Sequence, residues 1–79
     1  MKLKLFIDTI GWIGSIEVIA AYALNSYQMI PSNSIYFQLL NLTGGFFLII
    51  NTVYHRAYPS AFINIVWVII AAIAIIKGF

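Results

Sequence analysis

The hydrophobic positions of this chain fall into three long runs that are separated by two short polar segments. The runs extend from about Leu5 to Leu24, from about residue 34 to residue 54, and from about residue 59 to residue 77. An α-helix needs roughly 20 mainly apolar residues to cross the hydrocarbon core of a bilayer. The pattern therefore predicts an all-α membrane protein, with residues 1–79 forming one domain of three transmembrane helices.

The two links predict how the helices are arranged. The first link, NSYQMIPSN, contains Pro31 as a helix breaker, with Ser and Asn as N-cap candidates for the second helix. The second link, YHRAYP, is so short that the second and third helices must be antiparallel neighbours. Pro59 suits the first turn of the third helix.

Composition limits the function classes that remain. The chain is 63% apolar and 8% charged, against about 45–50% and about 25% in an average soluble protein. It has no cysteine and one histidine, and no motif of catalysis or phosphate binding is present. We expect no enzyme activity, no catalytic residue, no metal site and no cofactor. Four Lys and Arg residues are too sparse for a nucleic-acid partner.

The N-terminal segment looks like a signal peptide, with MKLKLF, an apolar run and AYA. Asp8 and Glu17 interrupt the apolar run, so we expect an uncleaved first helix.

Basic residues are unevenly distributed between the two ends of the predicted helices. Lys2, Lys4 and Arg56 fall on one side of the membrane, and Lys77 falls on the other. The positive-inside rule then predicts a multi-pass protein of the cell (inner) membrane with a cytoplasmic N-terminus and an exported C-terminus.

Small and polar residues follow one face of each of the last two helices, at alternating spacings of three and four residues. Such faces favour close helix packing and shared hydrogen bonds in a membrane. In the second helix the face comprises Ser34, Gln38, Asn41, Gly45, Leu48 and Thr52, with Gly44 and Asn51 beside it; in the third it comprises Ser60, Asn64, Trp67, Ala71, Ala74 and Gly78.

The first helix has two such faces, offset around its axis by roughly a quarter turn or more. One could contact the other helices, which leaves the second for another subunit or a cavity. The first face comprises Asp8, Gly11, Ser15, Val18, Tyr22 and Asn25; the second comprises Ile10, Gly14, Glu17, Ala21 and Gln28.

Four polar residues are candidates for a substrate pocket. Asn64 lies one turn before Trp67, and an amide beside an aromatic ring suits a polyol or another neutral polar ligand. Asn41 can equally be a structural hydrogen-bonding residue. Asn51 can cap or bridge the end of its helix instead. Because Asn51 and Asn64 flank the short turn, our hypothesis is that both amides point into one cavity at the junction of the second and third helices.

Glu17 is an acidic residue near the centre of a predicted span. A charge there costs on the order of 2.5–3.5 kcal/mol, and no Lys or Arg lies at the same depth. We therefore expect a neutral, hydrogen-bonded carboxyl group and a candidate proton-linked role. Asp8 is expected to form a surface pair with Lys4. The remaining residues at this membrane face are expected to be simple anchors: Tyr54, His55, Arg56 and Tyr58.

The segments GWIGS, YQMIPSNS and VYHRAYPSAFINIV resemble, in order and spacing, the triple-helix unit of the SWEET and SemiSWEET (PQ-loop) sugar transporters. The resemblance implies a SemiSWEET-like bundle in which Asn64 matches the pocket asparagine of that family and Tyr54 matches its tyrosine after the second helix, so that Tyr54 is also a candidate for the substrate pocket. Four features depart from the family pattern. There is no Pro-Gln pair, Asn51 replaces a pocket tryptophan, His55 replaces the glycine after that tyrosine, and the predicted orientation is reversed.

The segments GWIG, YFQLLNLTGG, NTVYH and AYPSAFINIVW also resemble a widespread bacterial family of small three-helix membrane proteins without assigned function. Together the patterns predict a half-transporter that works as a homodimer and moves a small polar or neutral solute by alternating access. The alternatives are a structural or accessory protein held together by Asn and Gly contacts, and a channel-forming oligomer.

Overall fold

The computed structural model describes residues 2–78, which form three α-helices and no β-strand. Helix α1 extends over Lys2–Ser26, α2 over Ile35–Tyr54 and α3 over Tyr58–Gly78. Each is long and apolar enough to cross a membrane. The predicted all-α, three-helix class is confirmed. Helix α1 is longer than its apolar run, because its first turn includes the charged residues before Leu5.

The first two helices end in the same way. The N–H of Met29 donates to the carbonyl oxygen of Leu24 at 2.8 Å, across a residue in the left-handed region, Gln28, with φ 61°. After α2 the corresponding turn places Arg56 at φ 58°. This hydrogen-bonding pattern is a Schellman motif, in which glycine usually holds the left-handed position.

The starts of α2 and α3 follow from local sequence. The hydroxyl oxygen of Ser34 accepts a hydrogen bond from the N–H of Tyr36 at 3.1 Å, which caps the first turn of α2. Helix α3 begins almost directly after the turn, with the N–H of Ala61 donating to Ala57 at 2.9 Å. Pro59 lies in its first turn, where no helical N–H is required.

Two consecutive glycines on α2 set the arrangement of the three helices. A Cβ atom on Gly44 would lie 2.8 Å from the carbonyl oxygen of Gly14 on α1. A Cβ atom on Gly45 would lie 2.7 Å from Val68 Cγ2 on α3. Adjacent residues are about 100° apart around a helix axis. Helices α1 and α3 therefore pack on two faces of α2 that are about 100° apart around its axis.

Helix α2 is thus the central element. It packs against both α1 and α3, whereas α1 and α3 do not contact each other within residues 2–78. The open space between α1 and α3, in front of α2, is called the groove below. The buried residues lie along the two helix contacts, and most outward-facing side chains are large and apolar. An outer surface of this kind suits contact with lipid.

Candidate functional site: the groove between α1 and α3

Three clefts follow the groove along the length of α2. The first, of about 310 Å³, lies between α1 and the C-terminal end of α2. The second, of about 130 Å³, lies between the first half of α2 and α3. The third, of about 390 Å³, lies beyond it, where the first link meets the end of α3. These clefts are the concave, partly polar surface of the molecule and form the candidate site.

The first cleft, called the polar cleft, combines a carboxylate, an imidazole, an amide, a hydroxyl group and an indole. It is lined by Asp8, Gly11, Trp12, Ser15, Asn51 and His55. Trp12 is 73% exposed, so its ring forms the open rim of the cleft. The side chains of this set can bind a small polar molecule through hydrogen bonds.

Asp8 joins the two helices at the outer end of the polar cleft. Its Oδ2 atom lies 2.7 Å from Lys4 Nζ, in the pairing expected from their spacing. Its Oδ1 atom lies 2.7 Å from His55 Nε2. His55 was expected to be a simple membrane anchor, and the structure places it instead against the carboxylate of another helix.

Asn51 lies at the back of the same cleft and faces α1. Its Nδ2 group donates to the carbonyl oxygen of Ile7 at 3.0 Å. A Cβ atom on Gly11 would lie 2.6 Å from Asn51 Cγ, so only glycine leaves room for this amide. The bridging role that we considered for Asn51 is therefore present, and the amide borders the polar cleft at the same time.

The second cleft contains a buried amide and an indole that are hydrogen-bonded to each other. Trp67 Nε1 on α3 donates to Asn41 Oδ1 at 2.9 Å, and Asn41 Nδ2 donates to the carbonyl oxygen of Phe37 at 3.0 Å. Asn41 is only 4% exposed. The amide is thus held by the chain itself, while one face of the Trp67 ring remains open to the cleft.

The third cleft continues the polar lining to the other end of α2. It is lined by Ser32, Asn33, Gln38, Ala74 and Gly78. Gln38 also lines the second cleft, and its Nε2 group donates to the carbonyl oxygen of Ser32 at 2.9 Å. Polar side chains on α2 therefore line the groove at its two ends, Gln38 and Asn41 at one and Asn51 and His55 at the other.

The structure corrects the hypothesis that Asn51 and Asn64 share one cavity. Asn51 faces α1, whereas Asn64 is half-buried on the side of α3 that faces α2, with its backbone carbonyl oxygen 3.9 Å from the Cβ position of Gly45. Asn64 lines none of the three clefts. The side chain of Asn64 has no hydrogen-bond partner within residues 2–78. Tyr54 is exposed and packs edge-to-face on His55, with ring centroids 5.1 Å apart, and it lines none of the three clefts.

Glu17 lies on the opposite flank of the α1–α2 contact, outside the groove. Its Oε2 atom is 2.7 Å from Thr43 Oγ1. Thr43, Gly44 and Gly45 point in three successive directions around α2, toward Glu17, toward α1 and toward α3. The hydrogen-bonding neighbour of Glu17 is thus the uncharged hydroxyl group of Thr43.

Sequence analysis placed Ser15 on one small-residue face of the first helix without assigning it to a site. It did not identify Trp12, Thr43 or the contact between Asp8 and His55. Thr43 could have been found by comparing how deep each residue of α1 and α2 lies in the membrane. Once Gly14 is placed opposite Gly44 in an antiparallel pair, Glu17 falls at the depth of residues 40–44 of α2. The sequence did not show that these two glycines meet.

A family profile matches residues 7–79 of this chain. No curated protein and no solved structure matches it. The family match covers nearly the whole chain, including all of α2 and α3. The protein therefore belongs to this family of small, uncharacterised proteins, and its own architecture is three apolar helices.

Proposed function

We propose that this protein is one half of a membrane transporter, which works as a homodimer and moves a small polar or neutral solute by alternating access. The observation that carries the proposal is the groove. It is open on one side and has polar side chains at both ends of its α2 wall, with Gln38 and Asn41 at one end and Asn51 and His55 at the other. No enzymatic activity is part of the proposal.

The groove is long enough to serve as a path across a bilayer. Gln38 and His55 mark its two polar ends on α2, and at 1.5 Å per residue they are about 25 Å apart. The hydrocarbon core is roughly 30 Å thick. The hydrogen-bonded pair of Asn41 and Trp67 lies between these ends. A solute that follows α2 would therefore meet hydrogen-bonding groups at both ends and within the span.

The helix contacts suit a change of helix angle. At the crossing of α1 and α2 the backbones touch directly, because the carbonyl oxygen of Gly44 lies 2.6 Å from the Cβ position of Gly14. The side chains of Phe47 and Val18 pack beside the two glycines. Rocking of one helix against another about such a contact is a means of alternating access.

A second copy of the chain would complete the path. Helices α1 and α3 leave the groove open within residues 2–78, and three helices cannot enclose a solute. A symmetric dimer with two facing grooves would form a closed path, in line with the expected resemblance to SemiSWEET units. The distribution of Lys and Arg supports insertion with a cytoplasmic N-terminus. We propose the cell membrane as the location.

A structural or accessory role is the second candidate, and one observation favours it. Both polar atoms of the Asn41 amide have a partner within the chain, and the amide of Asn51 donates to Ile7. Both residues therefore already hold helices together. In this case the grooves would bind another membrane protein or lipid, and no solute would cross.

Uptake by proteoliposomes distinguishes these roles. The purified full chain is reconstituted and tested with a panel of radiolabelled sugars, amino acids and vitamins. Ser15→Ala is the test variant, because Ser15 lines the polar cleft and its hydroxyl donates only to the carbonyl oxygen of Gly11 in its own helix. Thr9→Val is the matched control, since the exposed Thr9 hydroxyl bonds only to Leu5 of its own helix.

The transporter proposal predicts uptake of one solute class by the wild type and by Thr9→Val. Ser15→Ala should keep its fold and oligomeric state but reduce uptake, because a desolvated solute hydroxyl would lack its partner. Absence of uptake for the whole panel, or a monomer by mass measurement in both gentle detergent and bilayers, would support the accessory role.

A further inference from the structure

The side chains of Glu17 and Thr43 form a polar contact outside the groove, in the middle of the α1–α2 pair. Glu17 Oε2 lies 2.7 Å from Thr43 Oγ1. The same Oγ1 atom lies 2.8 Å from the carbonyl oxygen of Leu39, one turn earlier on α2. Thr43 therefore has two short oxygen contacts, one on each helix.

Counting hydrogens decides which group donates. A threonine hydroxyl carries one hydrogen, and a backbone carbonyl can only accept. If Glu17 is ionised, both neighbours of Thr43 are acceptors and only one of the two short contacts is a hydrogen bond. If Glu17 carries a proton, it donates to Thr43 Oγ1 and Thr43 donates to Leu39. The protonated form satisfies both contacts.

The surroundings offer no charge to balance a carboxylate. Helix α2, which packs against Glu17, has no acidic or basic side chain within residues 35–54. Helix α3 does not contact α1 within residues 2–78. Lys4 is thirteen positions away along α1, about 20 Å. The other titratable groups of these two helices and of the turn after α2 lie toward the helix ends: Lys2, Asp8, Tyr22, Tyr36, Tyr54, His55 and Arg56.

The second carboxyl oxygen gives an independent indication. Glu17 Oε1 is buried and has no hydrogen-bond partner within residues 2–78. An unpaired carboxylate oxygen in an apolar environment is costly, whereas the carbonyl oxygen of a neutral carboxyl group is much less so. Both oxygens of Glu17 therefore fit the neutral form.

We propose that Glu17 and Thr43 form a proton-binding site within the α1–α2 contact. Glu17 carries the proton at neutral pH and donates it to Thr43 Oγ1. The site is close to the helix crossing, since Glu17 Cβ lies 3.1 Å from the Cβ position of Gly44. Loss of the proton leaves a charge at this crossing, which draws in water and loosens the packing of α1 on α2. If the proposed transport function holds, this site couples the helix movement to a proton.

Infrared spectroscopy of the reconstituted chain tests the site directly. The chain has only two acidic side chains, so the carbonyl stretch of a protonated carboxyl group is simple to assign. We expect this band at neutral pH in the wild type and in Asp8→Asn. It should be absent in Glu17→Gln, in which the amide can still donate to Thr43.

Two further variants test the partner. Thr43→Val keeps the shape but removes the acceptor, so the band should move to the higher frequency of a free carboxyl group. Thr43→Ser should leave the band in place. Absence of the band in the wild type, or its persistence in Glu17→Gln, would overturn the proton site. An unchanged band in Thr43→Val would overturn the pairing.

This measurement does not depend on transport. A missing band contradicts the proton site and leaves the transporter proposal standing, whereas a failed uptake assay leaves the infrared result unaffected.

Discussion

Trp67 on α3 donates its indole N–H to the side-chain oxygen of Asn41 on α2, at 2.9 Å and at a buried position. Trp67→Phe removes the donor and leaves Asn41 Oδ1 unpaired. We expect the free energy of unfolding to fall by about 1 kcal/mol, since membrane hydrogen bonds average about 0.6 kcal/mol and an unpaired buried acceptor adds to the loss. Titration with a denaturing detergent, followed by circular dichroism, measures this.

Trp12→Phe is the matched control for that prediction, because Trp12 is 73% exposed and makes no hydrogen bond within residues 2–78. The free energy of unfolding of Trp12→Phe should stay within about 0.5 kcal/mol of the wild-type value. Equal losses in the two variants would show that the Asn41 contact does not stabilise the fold.

The crossing of α1 and α2 predicts a strong effect of a single methyl group. In Gly44→Ala the new Cβ would meet the backbone oxygen of Gly14 at 2.8 Å, and backbone cannot rotate aside. We expect the free energy of unfolding to fall by about 1–3 kcal/mol. Gly78→Ala is the control, because nothing lies within 4 Å of its Cβ position. If detergent titration gave the two variants equal stability, the close helix contact would be wrong.

The end of α1 predicts opposite effects of two substitutions at one position. Gln28 has a φ of 61°, a conformation that costs a non-glycine residue roughly 1–2 kcal/mol. Gln28→Gly should raise the free energy of unfolding by up to about 1 kcal/mol, after the entropy lost by glycine. Gln28→Val should lower it, because β-branched residues tolerate this region poorly. Thermal unfolding of both variants checks the sign.

The proposed orientation predicts where each terminus lies. Reporters that are active only in the cytoplasm should work at the N-terminus and fail at the C-terminus, because Lys2, Lys4 and Arg56 outnumber Lys77. A reporter that is active only outside the cell should show the reverse. Cytoplasmic activity of a C-terminal fusion would contradict this topology.

The number of helices, their class and most of their polar faces follow from the amino-acid sequence alone. Apolar length and helix-capping signals are local properties, and a chain in lipid must satisfy its backbone hydrogen bonds within each helix. The antiparallel packing of α2 and α3 followed from the short turn that joins them. Asn41 and Trp67, both chosen as pocket candidates, do meet in one cleft.

Which helix faces meet, in contrast, depends on how the three helices pack. Spacing along a helix gives the direction of each side chain around its own axis, but it does not say which neighbour lies in that direction. The structure shows that Gly44 faces α1 and Gly45 faces α3. That choice turns Asn51 toward α1, away from Asn64, and brings Asp8 to His55. It also leaves Glu17 beside Thr43, because the packing of α1 on α2 depends on backbone contact between residues far apart in the chain.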